Sequence, residues 1–305
     1  MTATSAQVRS QRPDHGSGPK ARARRGYRGF SSMSTREKVV RYLLLVLVLI
    51  ITVGPFVWQL STSFKGAGED IYTRMPSLLP EDPTLANYVT AAETVPILGF
   101  AWNSLVVAVI SVMGNVVGAT MAGYALTRLR FRGAKLILGA ILASMLMPAE
   151  ATLVAQYLTI RSMGLTDTLL GVALPGAIGM LNILLMRTAF LAIPKELDEA
   201  AIVDGANAWH RFLRIGLPNV KGMVAVVSVF AFIAAWDDFL WPLLVLTTPE
   251  KLTLTVGLEY LHGTFSANPR VIAAGTMIAF FPVAVFFGLL QRYFFRGVDA
   301  GAVKG

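Results

Sequence analysis

The 305-residue sequence contains no cysteine, which excludes disulfides, zinc-thiolate sites and thiol nucleophiles. Charge is scarce: Asp, Glu, Lys and Arg make up 15% of the chain against 54% hydrophobic residues, and the mean hydropathy is +0.59. That balance is too apolar for an ordinary soluble domain and fits a chain that crosses a membrane several times. The three histidines, His15, His210 and His262, fall in three separate segments. None has the His-Glu-x-x-His spacing, so they assemble no metal or hydrolase site. No Gly-x-x-x-x-Gly-Lys-Ser/Thr stretch occurs, so the chain itself is not expected to hold ATP. The ten-residue alternation of a membrane barrel is also missing.

What is present is a set of six apolar segments: 42–64, 94–127 (with 102–126 as the spanning part), 136–157, 168–186, 222–246 and 271–291. Each reaches the roughly 20 residues that a spanning helix needs. The expectation is an all-α integral membrane protein with six transmembrane helices over residues 36–305. Residues 1–35 are rich in Ser, Gly, Pro and Arg and have no core-forming pattern, so they read as a disordered basic tail. Arg22, Arg24, Arg25 and Arg28 suit either nucleic acid or an anionic lipid surface, and a membrane chain favours the lipid. Gly54-Pro55 marks an expected kink in the first span. The segment 65–99 is interrupted by Pro76, Pro80, Pro83 and Pro96 and should pack as short pieces.

Orientation follows from the basic residues. With the N-terminus inside, 22 Lys and Arg lie in the inside segments and 5 outside, whereas acidic residues divide 7 to 11 the other way. Both termini, and the segment 192–218, are therefore expected in the cytoplasm of a cell-membrane protein.

That segment is the most informative stretch. Pro194 opens a short helix whose first turns carry Glu196, Asp198 and Glu199. Gly205 sits where a helix stops with a left-handed residue. Asn207 can cap a second helix from Ala208 to about Ile215, closed by Pro218, with Trp209, Phe212 and Leu213 on one face. Such a pair is either an amphipathic loop lying on lipid or a knob that docks a partner.

The spacing Glu199-Ala200-Ala201, three residues, Gly205, nine residues, Ile215-x-Leu217-Pro218, with Asp204 before the glycine, resembles the cytoplasmic signature of ABC-importer permease subunits. Gly222 stands where relatives often carry a second proline. The sugar branch, with its maltose- and glycerol-3-phosphate-type permeases, is nearest, on Trp102-Asn103-Ser104-Leu105, Ala122-Gly123-Tyr124-Ala125-Leu126, Phe131-Arg132-Gly133, Trp236 to Leu243 and the C-terminal Gly301-Ala302-Val303-Lys304-Gly305. The resemblance implies the type I ABC importer permease fold, and it implies that the first helix, Pro194 to Val203, couples to an ATP-binding subunit. It also implies a second homologous permease, two copies of the ATP-binding subunit that bind ATP and Mg, and an extracellular solute-binding protein. The C-terminal tail, with Lys304, would lie against the ATP-binding dimer. No cofactor is expected in this chain.

Ionisable groups inside spans point to function. Glu150, Asp237 and Asp238 are such groups, and Asn182 is a further polar side chain in mid-span. They are candidates for the solute path, or else mark solvated helix ends and helix–helix hydrogen bonds. Adjacent aspartates point ~100° apart on a helix, so at most one should face a path. Gly114, Gly118 and Gly123 suit close helix packing. Trp102, Trp236 and Trp241 suit an interface belt. The expected function is the membrane permease of an ATP-driven importer for a sugar or oligosaccharide. The alternatives are a polyol or glycerol 3-phosphate permease, an integral membrane enzyme and a passive channel.

Overall fold

The computed structural model describes residues 34–73, 77–262 and 268–302. The basic tail before Ser34, Pro76, and the C-terminal Val303, Lys304 and Gly305 lie outside the described residues. Every regular element among the described residues is helical, as an apolar chain that must satisfy its own backbone in lipid requires.

Helix α1 spans Thr35–Phe64. It opens on a capping box: Ser34 Oγ accepts from the Glu37 amide, and Glu37 accepts from the Ser34 amide at 3.0 Å. The expected kink position stays helical, with Pro55 inside the helix, and the chain divides into two compact units between Gly54 and Pro55. In the first unit the side chains from Leu43 to Ile51 are all exposed. An apolar surface all round the helix suits lipid.

The second unit holds the remaining helices. Helix α2 is Ala86–Thr94, within the proline-rich segment 65–99. Helix α3 runs Ile97–Arg128 and contains a π turn over Asn115–Ala119. Then follow α4 (Ala134–Ser144), α5 (Ala149–Ser162), α6 (Leu169–Ala173), α7 (Met180–Ala192), α8 (Lys195–Val203), α9 (Ala208–Asn219), α10 (Lys221–Trp236), α11 (Leu240–Val245), α12 (Leu254–Glu259) and α13 (Pro269–Ala302).

The six apolar segments differ in kind. Three are single helices of crossing length: α1, α3 and α13. The other three are broken: α4–α5 at Pro148, α6–α7 across Pro175 to Gly179, and α10–α11 at Asp237 to Phe239. Hydropathy registers the apolar stretch but not the interruption of its hydrogen-bond ladder.

Two apolar cores hold the second unit together. One gathers Phe100, Val107, Val172, Phe232, Trp236, Trp241 and Leu254; the other gathers Tyr124, Met186, Phe190, Phe212, Val220 and Val227. The glycines of α3 permit its contact with the α6–α7 segment. A Cβ on Gly114 would come 2.6 Å from the Ala177 carbonyl oxygen, and one on Gly123 would come 2.8 Å from the Met186 Cβ. Trp102 is exposed. Trp236 and Trp241 are not belt residues. Both are buried, and their ring N–H groups donate to the carbonyls of Ala279 at 3.0 Å and Gly171 at 3.3 Å. An indole whose N–H finds an internal carbonyl loses its reason to stay at the interface.

Asp167 ties two loops. Its carboxylate accepts from the Thr247 and Thr248 amides, both at 3.0 Å, and pairs with Lys251 at 2.8 Å. The Lys251 contact and the Thr248 and Thr247 hydrogen bonds hold its pKa well below the usual carboxylate range.

Candidate functional site

The polar segment after α7 folds largely as its sequence dictates. Helix α8 ends at Val203, and Gly205 has φ +79°. The Ala206 amide donates to the Ala201 carbonyl at 2.8 Å and the Gly205 amide to Ile202 at 3.0 Å. These two bonds form a Schellman stop, which needs a left-handed residue at this position. Asn207 then caps α9, its Oδ1 accepting from the His210 amide at 2.8 Å. Pro218 does not close the second helix. A π turn over Phe212–Gly216 comes first, and Pro218 sits in the opening turn of the Leu217–Asn219 piece, where a missing N–H does no harm. The chain turns by 79° into α10 at Val220, without a proline at Gly222.

Burial divides this segment into a fixed side and a free side. Ala201, Phe212 and Gly216 are buried, and the Phe212 ring meets Tyr124 at 5.1 Å between centroids. Glu199, Ala200, Asp204 and Pro218 are exposed, and Ile215 and Leu217 are half-buried. Of the one-faced set, only Phe212 turns inward; Trp209 and Leu213 are exposed. The free side also carries Ile202 and Val203, the latter 87% exposed.

A residue that sequence reading passed over holds the segment in place. Arg128, at the end of α3, donates to the Phe190 carbonyl at 2.6 Å and the Ile193 carbonyl at 2.5 Å, and pairs with Asp198 of α8 at 3.0 Å. One guanidinium thus satisfies terminal carbonyls of α7 and anchors α8 to α3.

A second feature lies where the broken spans meet. At about 1.5 Å per residue, Asn115 and Pro148 lie roughly 20 Å, and Asp237 roughly 24 Å, from the basic ends of their helices at Arg128, Lys135 and Lys221. Around this level is a cavity of about 500 Å³, to which Asn115, Glu150, Gly176, Asn182, Asp238 and Trp241 contribute. Irregular backbone at membrane depth is tolerated where it lines such a cavity. Of the four candidates for a solute path, Glu150, Asn182 and Asp238 line it. Asp237 does not; it is exposed and ends α10 with its amide donating to Ile233. Only one of the adjacent aspartates lines the cavity, and both sit in the break after Trp236, not on a helix.

Asn115, which the sequence reading did not single out, organises the cavity wall. It opens the π turn of α3 and is 2% exposed. Its Nδ2 donates to the Gly176 carbonyl at 2.9 Å, and its Oδ1 accepts from the Gly179 amide at 2.7 Å and from Asn182 Nδ2 at 2.8 Å. One amide thus replaces hydrogen bonds lost where α6–α7 is interrupted. The sequence offered only a polar residue in an apolar span and, elsewhere, the Pro175-Gly176 pair; their meeting is visible only in the fold.

Comparison with known proteins places the chain. The family described as "Binding-protein-dependent transport system inner membrane component" matches residues 29–300. The galactooligosaccharides transport system permease protein of Bacillus subtilis (strain 168) is 33% identical over 270 residues, covering 87% of this chain and 94% of the relative. The maltodextrin transport system permease protein of the same organism is 34% identical, covering 88% and 97%. The diacetylchitobiose uptake system permease protein of Streptomyces coelicolor is also 34% identical, covering 85% and 95%. A crystal structure of a bacterial ABC transporter involved in import of the acidic polysaccharide alginate superposes with a TM-score of 0.75 at 24% identity, covering 86% of this chain and 99% of that one.

Proposed function

This chain belongs to the family of inner membrane components of binding-protein-dependent transport systems, and on that premise we propose that it is the permease for a sugar or oligosaccharide in an ATP-driven importer. It is a multi-pass membrane transport component, not an enzyme. The single observation that carries the coupling part of the proposal is the two-sided segment 192–218. It is clamped to the spans through Arg128 and Phe212 and presents Glu199, Ile202, Val203 and Asp204 outward. An amphipathic helix resting on lipid would bury its apolar residues in the bilayer face and turn its acids to water. Here apolar and acidic residues share one exposed end, which suits a protein cleft.

In this reading Glu199, Ala200, Ala201, Asp204 and Gly205, with Ile215, Leu217 and Pro218 behind them, form the coupling element. Two copies of an ATP-binding subunit hold ATP and Mg, and their closure moves α8. A second, homologous permease completes the membrane path, and the solute-binding protein delivers the sugar from outside. The carbohydrate assignment rests on the relatives, which are named for galactooligosaccharides, maltodextrin and diacetylchitobiose. Both termini lie in the cytoplasm. A cysteine at Ala206 should therefore be labelled only from inside and one at Gly68 only from outside; the reverse pattern contradicts the orientation.

The cavity at the broken spans is the solute path within this chain. Asp238→Asn is expected to change uptake severalfold, while Asp237→Asn, outside the cavity, leaves it at the parental rate. Equal behaviour of the two variants in vesicle uptake would separate the cavity from transport.

A further inference from the structure

The cavity carries information about charge. Among its described lining residues the only ionisable ones are Glu150 and Asp238; no Lys, Arg or His contributes. Among the described residues neither carboxylate forms an ion pair, the two pairs present being Arg128–Asp198 and Lys251–Asp167. A third acceptor points the same way. Asn182 contributes to the cavity wall and is 93% buried; its Nδ2 is committed to Asn115, and its buried Oδ1 has no hydrogen-bond partner among the described residues. A buried carbonyl oxygen without a donor is costly unless something in the cavity supplies one. Asn115 fixes this polarity. Its own Oδ1 already accepts from the Asn182 amide, so Asn182 cannot flip to turn its donor inward without losing that bond.

Apart from Ser111 and Gln156, which can donate as well as accept, the polar side chains of the wall therefore offer acceptors to a ligand rich in donors. Hydroxyls donate to carboxylates and amides, and a protonated amine donates more strongly. A ligand carboxylate, sulfonate or phosphate would meet two like charges, with no cation among the described lining residues to offset them. We propose that this cavity selects neutral or amine-bearing saccharides and excludes acidic ones, with Glu150 and Asp238 as the excluding charges and Asn182 as an acceptor for a sugar hydroxyl. The inference rests on the reading of the chain as a sugar permease and adds the charge class of the solute. It sets this chain apart from systems named for acidic cargo, such as the alginate importer whose fold it shares.

The test must bypass the solute-binding protein, which filters solutes before they reach the membrane. The assembled transporter in nanodiscs, without that protein, is probed by saturation-transfer NMR, which detects weak binding. The probes are cellobiose (neutral), chitobiose (amine-bearing) and cellobiouronic acid (acidic). Cellobiose and chitobiose should bind, and cellobiouronic acid should bind at least about tenfold more weakly. Glu150→Gln together with Asp238→Asn should remove that difference and weaken chitobiose. Each single variant should remove part of it, and Asn182→Leu should weaken cellobiose without restoring the acid. Acid binding as tight as cellobiose in the parental complex, or an unchanged ranking in the double variant, overturns the charge inference and leaves the sugar-permease reading intact. Binding of none of the three to parent and variants alike refutes the cavity as a saccharide site.

Discussion

Gly205→Val should insert into the membrane at parental levels and lose ATP-driven uptake. The residue sits at φ +79° in the Schellman stop of α8, and a Cβ placed there would meet nothing within 4 Å. The penalty is therefore one of backbone conformation, not of collision. A left-handed residue costs a non-glycine side chain about 1–2 kcal/mol, and a β-branched one more. The cheapest escape is to unwind the stop, which frees the Ala201 and Ile202 carbonyls and re-aims the exposed end of α8. Glu199→Ala tests the same surface without touching the backbone. If Glu199 meets a basic group of the ATP-binding subunit, removing one partner of a desolvated interfacial pair costs on the order of 2–5 kcal/mol. The valine variant should uncouple ATP hydrolysis from uptake, and the alanine variant should weaken docking in pull-down of the ATP-binding subunit. Gly205→Asn, which tolerates the left-handed region, should retain most of the uptake.

Arg128→Ala should be nearly as damaging, for a different reason. The Arg128 and Asp198 side chains are 7% and 14% exposed. Removing the guanidinium leaves a largely buried carboxylate unpaired, takes the Arg128 donor from the Ile193 carbonyl, and leaves the Phe190 carbonyl with the Ile193 amide at 3.3 Å. Breaking such a pair typically costs about 3–5 kcal/mol. The loss falls where α3, α7 and α8 meet, so both the thermal stability of the complex and its coupled uptake should drop. Arg128→Lys should rescue only part, since an ammonium cannot fork across two carbonyls and a carboxylate. Arg128→Ala combined with Asp198→Asn should recover stability relative to Arg128→Ala, because the stranded charge is gone. If the double variant is no more stable than the single one, the ion pair is not what holds α8.

These two residues also show what could be read in advance. Gly205 and Asn207 were legible because their roles are local: a helix stop and a helix cap are written within a few residues of chain. Arg128 was not, since its partners are two main-chain carbonyls and a carboxylate more than sixty positions away. From sequence it is one more basic residue at the inner end of a span. The same distinction separates Asn182 from Asn115. A polar residue in mid-span draws attention, but the residue that patches a broken helix across the bundle is known only when both helices are in place. Glu150 and Asp238 were found by counting charges in apolar segments. Their shared cavity came from three interrupted segments that meet, and a hydropathy profile averages the interruptions away. Pro148, Pro175 and Gly176 were the visible signs of those interruptions. Trp236 and Trp241 were misplaced because a belt is inferred from residue type, whereas burial depends on whether the indole N–H finds a carbonyl inside.

The central claim is that the exposed end of α8 docks against an ATP-binding subunit. Val203 stands there, 87% exposed and next to Asp204. A photo-reactive benzoylphenylalanine at Val203, irradiated in native membranes of the producing cell, reports its neighbour directly. The expected product is a single protein adduct containing the ATP-binding subunit, its yield changing when ATP is added. Adducts to lipid alone, with the same yield with and without ATP, would contradict the claim.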